Sequence, residues 1–225
     1  MENEKIETGA ETKEEPQAEK PRQKKKFRIR TKDIALAAVL TGLSIALPYF
    51  MPTIIIPPDM SVTLLSHTTV FIAMFINPVT AILTCLGTLL AFVIKVPYVA
   101  VWIRAASHMV FAVIGSFVMY KWKKGYRGVS FYALCGIVTL IHMVAEILSA
   151  MLAIAVGAKG APPEITFRYV VVVVGLVTVA HSLFDYTFAV LIYNTLSQAR
   201  LVNNKFDLRI ARKPKPKPEL LTPNS

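Results

Sequence analysis

The sequence predicts an all-α integral membrane protein with about six transmembrane helices. Hydrophobic residues make up 54% of the chain and charged residues only 17%, whereas a soluble domain carries roughly 25% charge. The charges are concentrated near the two ends and in one short central segment. Between them run apolar stretches long enough to cross a hydrocarbon core about 30 Å thick, which takes roughly 20 helical residues. Backbone groups inside lipid must be hydrogen-bonded within the chain, so these stretches are expected to be helices.

The predicted spans differ in length and are separated by helix-breaking residues. Residues 52–60 follow the first span and contain three prolines, so this segment cannot continue the helix. The second span is short and ends at Asn77-Pro78, a turn signal. The spans are predicted at residues 33–51, 63–76, 79–94, 98–120, 129–156 and 165–196.

Three regions are expected along the chain. Residues 1–32 form a basic tail without apolar periodicity, which predicts disorder. Residues 33–197 form the six-helix membrane domain. Residues 198–225 form a second basic tail, rich in Pro and Lys. Both tails are expected to be cytoplasmic.

The distribution of Lys and Arg predicts the orientation. With the N-terminus inside, 21 of the 25 basic residues fall in the cytoplasmic segments 1–32, 121–128 and 200–225. This asymmetry is the positive-inside signature, and it predicts a multi-pass protein of the cell membrane with both termini cytoplasmic. The net charge of +11 is then explained by basic segments that are attracted to anionic membrane lipid. No nucleic-acid-binding motif accompanies it, so no nucleic acid partner is expected.

Polar side chains inside the predicted spans are the strongest functional signal. A charge at mid-membrane costs at least about 2.5–3.5 kcal/mol, so such residues usually pair or form a site. Three pairs have the i, i+4 spacing that places two side chains on one helix face. These pairs are Arg104–His108, His142–Glu146 and His181–Asp185.

Depth along the spans divides these residues into two groups. The residues expected to converge in the outer half of the bundle are His67, Arg104, His108, His142 and Glu146. By contrast, His181 and Asp185 lie about 24–30 Å down the sixth span at 1.5 Å per residue. They are expected to form a separate pair in the inner half. Either group could instead be interhelical hydrogen bonds that hold the bundle together.

The first span carries small residues at four-residue spacing, Ala38, Gly42 and Ala46. Such a ladder allows another helix to approach closely, either within the bundle or in a partner subunit. Trp102 and Tyr169 lie near the predicted outer boundary. They are equally consistent with a binding site and with an interfacial aromatic belt.

Several catalytic motifs are absent from the sequence. It has no GxxxxGK[ST], HExxH or GxSxG, so ATP hydrolysis through a Walker motif is excluded and an intramembrane enzyme is unsupported. His142 and Glu146 form only an HxxxE pattern, and no metal site is expected. Cys85 and Cys135 lack CxxC spacing and are expected to be buried free thiols.

The pattern as a whole resembles the substrate-binding (S) subunits of energy-coupling factor (ECF) transporters, over about residues 33–197. Ser66-His67, residues 71–78, residues 103–108, and Phe111 with Gly115 are similar to the nicotinate (niacin)-specific branch. The resemblance implies a six-helix bundle that captures a vitamin outside the cell. A separate membrane coupling subunit and two ATPases would drive uptake, so ATP is hydrolysed by partners and this chain carries no cofactor.

The resemblance also implies roles for particular residues. The ladder residues would contact the coupling subunit, although Gly42 stands where the family usually has Ala. A guanidinium can hold the carboxylate of nicotinate by two hydrogen bonds, and His or Tyr can meet its ring. The expected substrate-binding residues are Arg104, His108, His67, Glu146, His142, Tyr169 and Trp102. The alternatives are an S subunit for another small molecule, an intramembrane enzyme using the His/Glu/Arg cluster, or a self-contained channel or carrier.

Overall fold

The computed structural model of the chain describes residues 30–56, 60–121, 126–127, 129–159, 161, 166–202 and 206–207. Most of these residues lie in six helices. The helices are α1 (Thr31–Phe50), α2 (Thr68–Ile76), α3 (Pro78–Lys95), α4 (Val99–Lys121), α5 (Val129–Ala155) and α6 (Phe167–Gln198). The last of these contains a π-helical segment at Val170–Val174.

Five of the six helices match the predicted spans to within a few residues, and the second is the exception. Residues Thr53–Ile56 (β1) and Met60–Thr63 (β2) pair as an antiparallel hairpin, so the chain is still extended where a helix was predicted. A turn follows in which Leu65 has a positive φ of 63°. As a result α2 has only 9 residues, about 14 Å of helix.

Within the described residues, four helices, α3 to α6, are long and apolar enough to cross a membrane. The short helix α2 does not reach the length of a span. Large apolar side chains cover much of the outer surface of the bundle, for example Ile94 at 78% and Leu148 at 60% exposure. Apolar exposure on this scale marks a surface that contacts lipid or protein. The chain is therefore a mainly α-helical, multi-pass membrane protein.

The short helix α2 lies at the centre of the bundle. It packs against α1, α3, α4 and α6, and every residue from Thr68 to Phe75 is buried. A helix that is apolar on all sides is expected in such a position. Its rings contact those of neighbouring helices, with Phe71–Phe111 centroids 5.1 Å apart and Phe75–Tyr193 centroids 5.6 Å apart.

The predicted turn at Asn77-Pro78 is confirmed, and it is tied to the start of α1. Asn77 caps α3, since its side-chain oxygen accepts from the backbone N–H of Thr80 at 2.9 Å, and Pro78 occupies the first helical position, where its missing N–H costs nothing. The Asn77 amide also donates to Asp33 Oδ1 at 2.8 Å. Arg30 donates to the same carboxylate at 2.9 Å.

A second pair of strands joins the chain after α6 to the α4–α5 connection. Tyr126–Arg127 (β3) pairs in parallel with Phe206–Asp207 (β4), so the chain after α6 returns beside the α4–α5 connection.

Both cysteines are free, with Cys85 buried and Cys135 half-buried. Most of the two predicted tails lies outside the described residues, and the predicted division into three regions stays a prediction.

Candidate functional site

The candidate site forms around His67, the residue that precedes α2. The fully buried carboxylate of Asp185 on α6 accepts two backbone hydrogen bonds there, from Leu65 N–H at 2.9 Å and His67 N–H at 2.8 Å. A carboxylate at a helix N-terminus satisfies unpaired N–H groups and interacts favourably with the helix dipole. Asp185 thus holds the turn that carries His67 in the middle of the bundle.

The predicted separation of His181 and Asp185 from the other polar residues is wrong. His181 Nε2 lies 2.7 Å from His67 Nδ1 and 3.3 Å from Asp185 Oδ2. The depth estimate counted His67 as a residue of a helix beginning at the membrane boundary. Because the β1–β2 hairpin and the following turn come before α2, His67 instead lies beside the middle of α6.

On its other side His67 contacts His108, which belongs to a charged cluster between α4 and α5. His67 Nε2 is 2.9 Å from His108 Nε2, and His108 Nε2 is 2.9 Å from Glu146 Oε1. Arg104 Nε donates to Glu146 Oε2 at 2.8 Å. The carboxylate is almost fully buried, whereas one third of the Arg104 side chain is exposed. Arg104 and His108 therefore use their shared helix face to bind one carboxylate.

His142 completes the cluster from α5. His142 is 1% exposed, and its Nδ1 lies 2.7 Å from the hydroxyl of Ser182 on α6. Its Nε2 has no hydrogen-bond partner among the described residues and lies 3.9 Å from Glu146 Oε1. The ring packs against Phe111, with centroids 4.4 Å apart.

These side chains surround a cavity of about 180 Å³. Five of the seven predicted substrate-binding residues line it, while Trp102 and Tyr169 do not. Trp102 Nε1 instead donates to Val96 O at 2.6 Å, and Tyr169 packs beside Val62 and Val170. The lining consists of Val62, Thr63, Ser66, His67, Phe92, Val101, Arg104, Ala105, His108, His142, Glu146, Thr178 and His181.

Sequence reasoning missed several residues of the site. Thr178 and Ser182 are small polar residues next to or one turn from His181, and this proximity is the only signal they give in the sequence. Ser66 was part of a stretch that carried the family resemblance, but it was not expected to line the site. Thr63 and Val62 reach the cavity because β2 covers it. Their position depends on the hairpin, which the apolar pattern did not predict.

A larger groove of about 760 Å³ runs along the outside of α4 and α5. Its lining is almost entirely aliphatic, and its two serine hydroxyls donate to backbone carbonyls of their own helices. Ser107 bonds Arg104 O at 2.7 Å and Ser149 bonds Glu146 O at 2.9 Å. A specific small-molecule site needs a few placed polar groups, so the smaller, polar cavity is the better candidate despite its volume.

Chemically, the cavity suits a small aromatic anion. The Arg104 guanidinium donates a hydrogen bond from Nε to Glu146. A guanidinium carries five N–H donors. The remaining donors can bind an incoming carboxylate by the parallel hydrogen bonds that suit planar anions. The four imidazoles offer N–H and lone-pair groups for a heteroaromatic ring.

Comparison with known proteins gives one informative similarity. The chain is 29% identical over 178 residues to the niacin transporter NiaX of Lactococcus lactis subsp. cremoris, and the alignment covers 79% of each protein. No family model matches the chain, and no solved structure matches it. The similarity confirms the resemblance to niacin-specific transport proteins that the sequence motifs indicated.

Proposed function

We propose that this protein is the substrate-binding subunit of an ECF-type importer of niacin. The observation that carries the proposal is the similarity to a niacin transporter over 79% of both chains, an extent that exceeds any single motif. The protein is a transport protein and not an enzyme. Another vitamin, or chemistry by the His/Glu/Arg cluster, is not favoured by any observation of comparable extent.

The cavity supports niacin as the ligand. Niacin is a single pyridine ring with one carboxylate, and a volume of about 180 Å³ lies below the roughly 300–1,000 Å³ typical of drug-sized ligands. Arg104 lies at the accessible edge of the cavity, where its guanidinium would take the carboxylate in place of, or together with, Glu146. The imidazoles of His67, His108 and His142 would then contact the ring.

The proposed membrane topology has six passages and two cytoplasmic termini. Four helices meet the length and apolarity of a span, and α1 adds a fifth helix of 20 residues. The sixth passage would combine α2, whose residues are buried inside the bundle, with the β1–β2 hairpin that precedes it. The distribution of Lys and Arg supports the orientation.

The proposed partners are a membrane coupling subunit and two ATPases, which would supply the energy for uptake. The outward position of the α1 ladder supports this. Ala38 and Gly42 are exposed and Ala46 is half-buried, and a Cβ added at Gly42 would meet no atom within 4 Å. A ladder that packed inside the bundle would be buried, so this face is available to a partner helix.

The direct test is to identify the ligand. The protein is purified in detergent, the small molecules that copurify are identified by mass spectrometry, and nicotinate is titrated by calorimetry. We expect niacin in the extract and saturable, one-to-one nicotinate binding without turnover. A different copurifying vitamin, together with no measurable nicotinate binding, would contradict the proposal.

A further inference from the structure

The imidazole cluster contains more nitrogen ligands than a small organic anion needs. His67, His108 and His142 come from the start of α2, from α4 and from α5, and a ring nitrogen of each lies within 4.8 Å of the others. Each residue is part of the cavity wall. Three imidazoles converging on one point are the ligand set of many zinc sites that keep one position open.

Hydrogen bonding alone does not satisfy this arrangement. His108 Nε2 lies 2.9 Å from both His67 Nε2 and Glu146 Oε1. A ring nitrogen has one hydrogen or one lone pair, so it cannot make two full hydrogen bonds to these acceptors. The Nε2 atom of His142 lies beside them, buried and without a partner among the described residues. A cation between these atoms would satisfy all of them at once.

In His142 and His67 the opposite ring nitrogens have the partners that orient metal-binding histidines. The hydroxyl of Ser182, 2.7 Å from His142 Nδ1, can accept its hydrogen, so that the Nε2 lone pair faces the cluster. His67 Nδ1 lies 2.7 Å from His181 Nε2 and 3.5 Å from Asp185 Oδ2, which frees its Nε2 in the same way. Such outer partners fix the tautomer of ligating histidines and raise their basicity.

We propose that His67, His108 and His142 together bind one divalent cation of the zinc class. The second part of the proposal, which rests on the proposed function, is that the open position of this cation takes the ring nitrogen of niacin. Zinc–nitrogen bonds of about 2.0–2.1 Å place two ligands on a tetrahedron about 3.3–3.4 Å apart. The 2.9 Å between His67 and His108 therefore needs only a small separation of the rings.

The positions of the ligands match the two ends of niacin. Arg104 and His108 are four residues apart on α4, about 6 Å along the helix axis. A pyridine nitrogen bound near His108 would leave the carboxylate of the same ring near Arg104. No metal site was expected from the sequence, because His142 and Glu146 form only an HxxxE pattern.

The charges of the cluster favour the complete complex. Counting Glu146 and Asp185 as carboxylates, Arg104 as a cation and the imidazoles as neutral, the net charge of these groups is one negative. A divalent cation with one nicotinate anion brings the total to zero, whereas nicotinate alone would make it two negatives. Uncompensated charge is costly in a buried, low-dielectric site.

The experiment uses the full chain in detergent. After treatment with a chelator, ZnSO4 is titrated by calorimetry, and Co²⁺ is added separately to record the visible absorption of a nitrogen-ligated ion. Nicotinate affinity is then measured with and without zinc. Ser182→Ala is the test variant, because removing an outer partner typically weakens metal binding 10–100-fold. Ser116→Ala is the matched control, because this fully buried serine on α4 has no hydrogen-bond partner among the described residues.

We expect one equivalent of Zn²⁺, nicotinate binding that the chelator weakens and zinc restores, and zinc affinity lowered only in Ser182→Ala. Nicotinate binding that persists in a protein unable to bind Zn²⁺ would overturn the metal site and leave the proposed function standing. Zinc binding that leaves nicotinate affinity unchanged would overturn the contact between cation and niacin. If neither form binds nicotinate, the proposed function fails, and the zinc titration decides the metal site independently.

Discussion

Replacing Arg104 with Ala tests which group recognises the carboxylate of niacin. In the structure Arg104 is held by Glu146 at 2.8 Å and is one third exposed. Removing one partner of a hydrogen-bonded charge pair in a desolvated interface costs roughly 2–5 kcal/mol. Because of the partial exposure we take the lower end, which corresponds to about 30-fold in affinity. Arg104→Lys should not restore binding, because an ammonium lacks the planar fork.

The assay compares nicotinate with nicotinamide by calorimetry, since the two differ only in the carboxylate. We expect the wild type to prefer nicotinate and Arg104→Ala to lose that preference. Arg168→Ala is the matched control, because Arg168 is an exposed arginine of α6 that does not line the cavity. A preference that survives in Arg104→Ala would refute the reasoning and leave Arg104 as a structural partner of Glu146.

Three further predictions concern the partner face, the topology and the fold. Gly42→Leu and Ala46→Leu should abolish uptake in cells and leave nicotinate binding by the isolated subunit near normal, because bulk would separate the helices; intact uptake would show that α1 contacts no partner there. Reporter fusions at Ser225 and between Gly157 and Glu164 should report opposite sides of the membrane, and the same side would end the six-passage topology. Asp185→Asn should lower the unfolding temperature in detergent, since hydrogen bonds to a charged group contribute about 1.5–3 kcal/mol each; an unchanged temperature would show that the start of α2 does not depend on this carboxylate.

Parts of the site could be predicted because lipid limits the alternatives. A charged residue inside a span needs a counter-charge, and for Arg104 the sequence offers Glu146 on the next span at a similar depth. The structure contains this pair. Ser182 carries no charge, so its contact with His142 leaves no comparable trace in the sequence.

The sequence by itself determined the mainly helical, multi-pass membrane class, the approximate bounds of five helices and the turn at Asn77-Pro78. These features follow from local properties, namely the length of an apolar run, the missing N–H of proline and the cost of charge in lipid. Only the tertiary structure decided that α2 begins at Thr68, and that His67 meets His181 and Asp185. Depth counted along a chain assumes helices that run straight from one membrane surface. The hairpin and turn before α2 break that assumption, because the turn is held by Asp185, more than a hundred positions away along the chain.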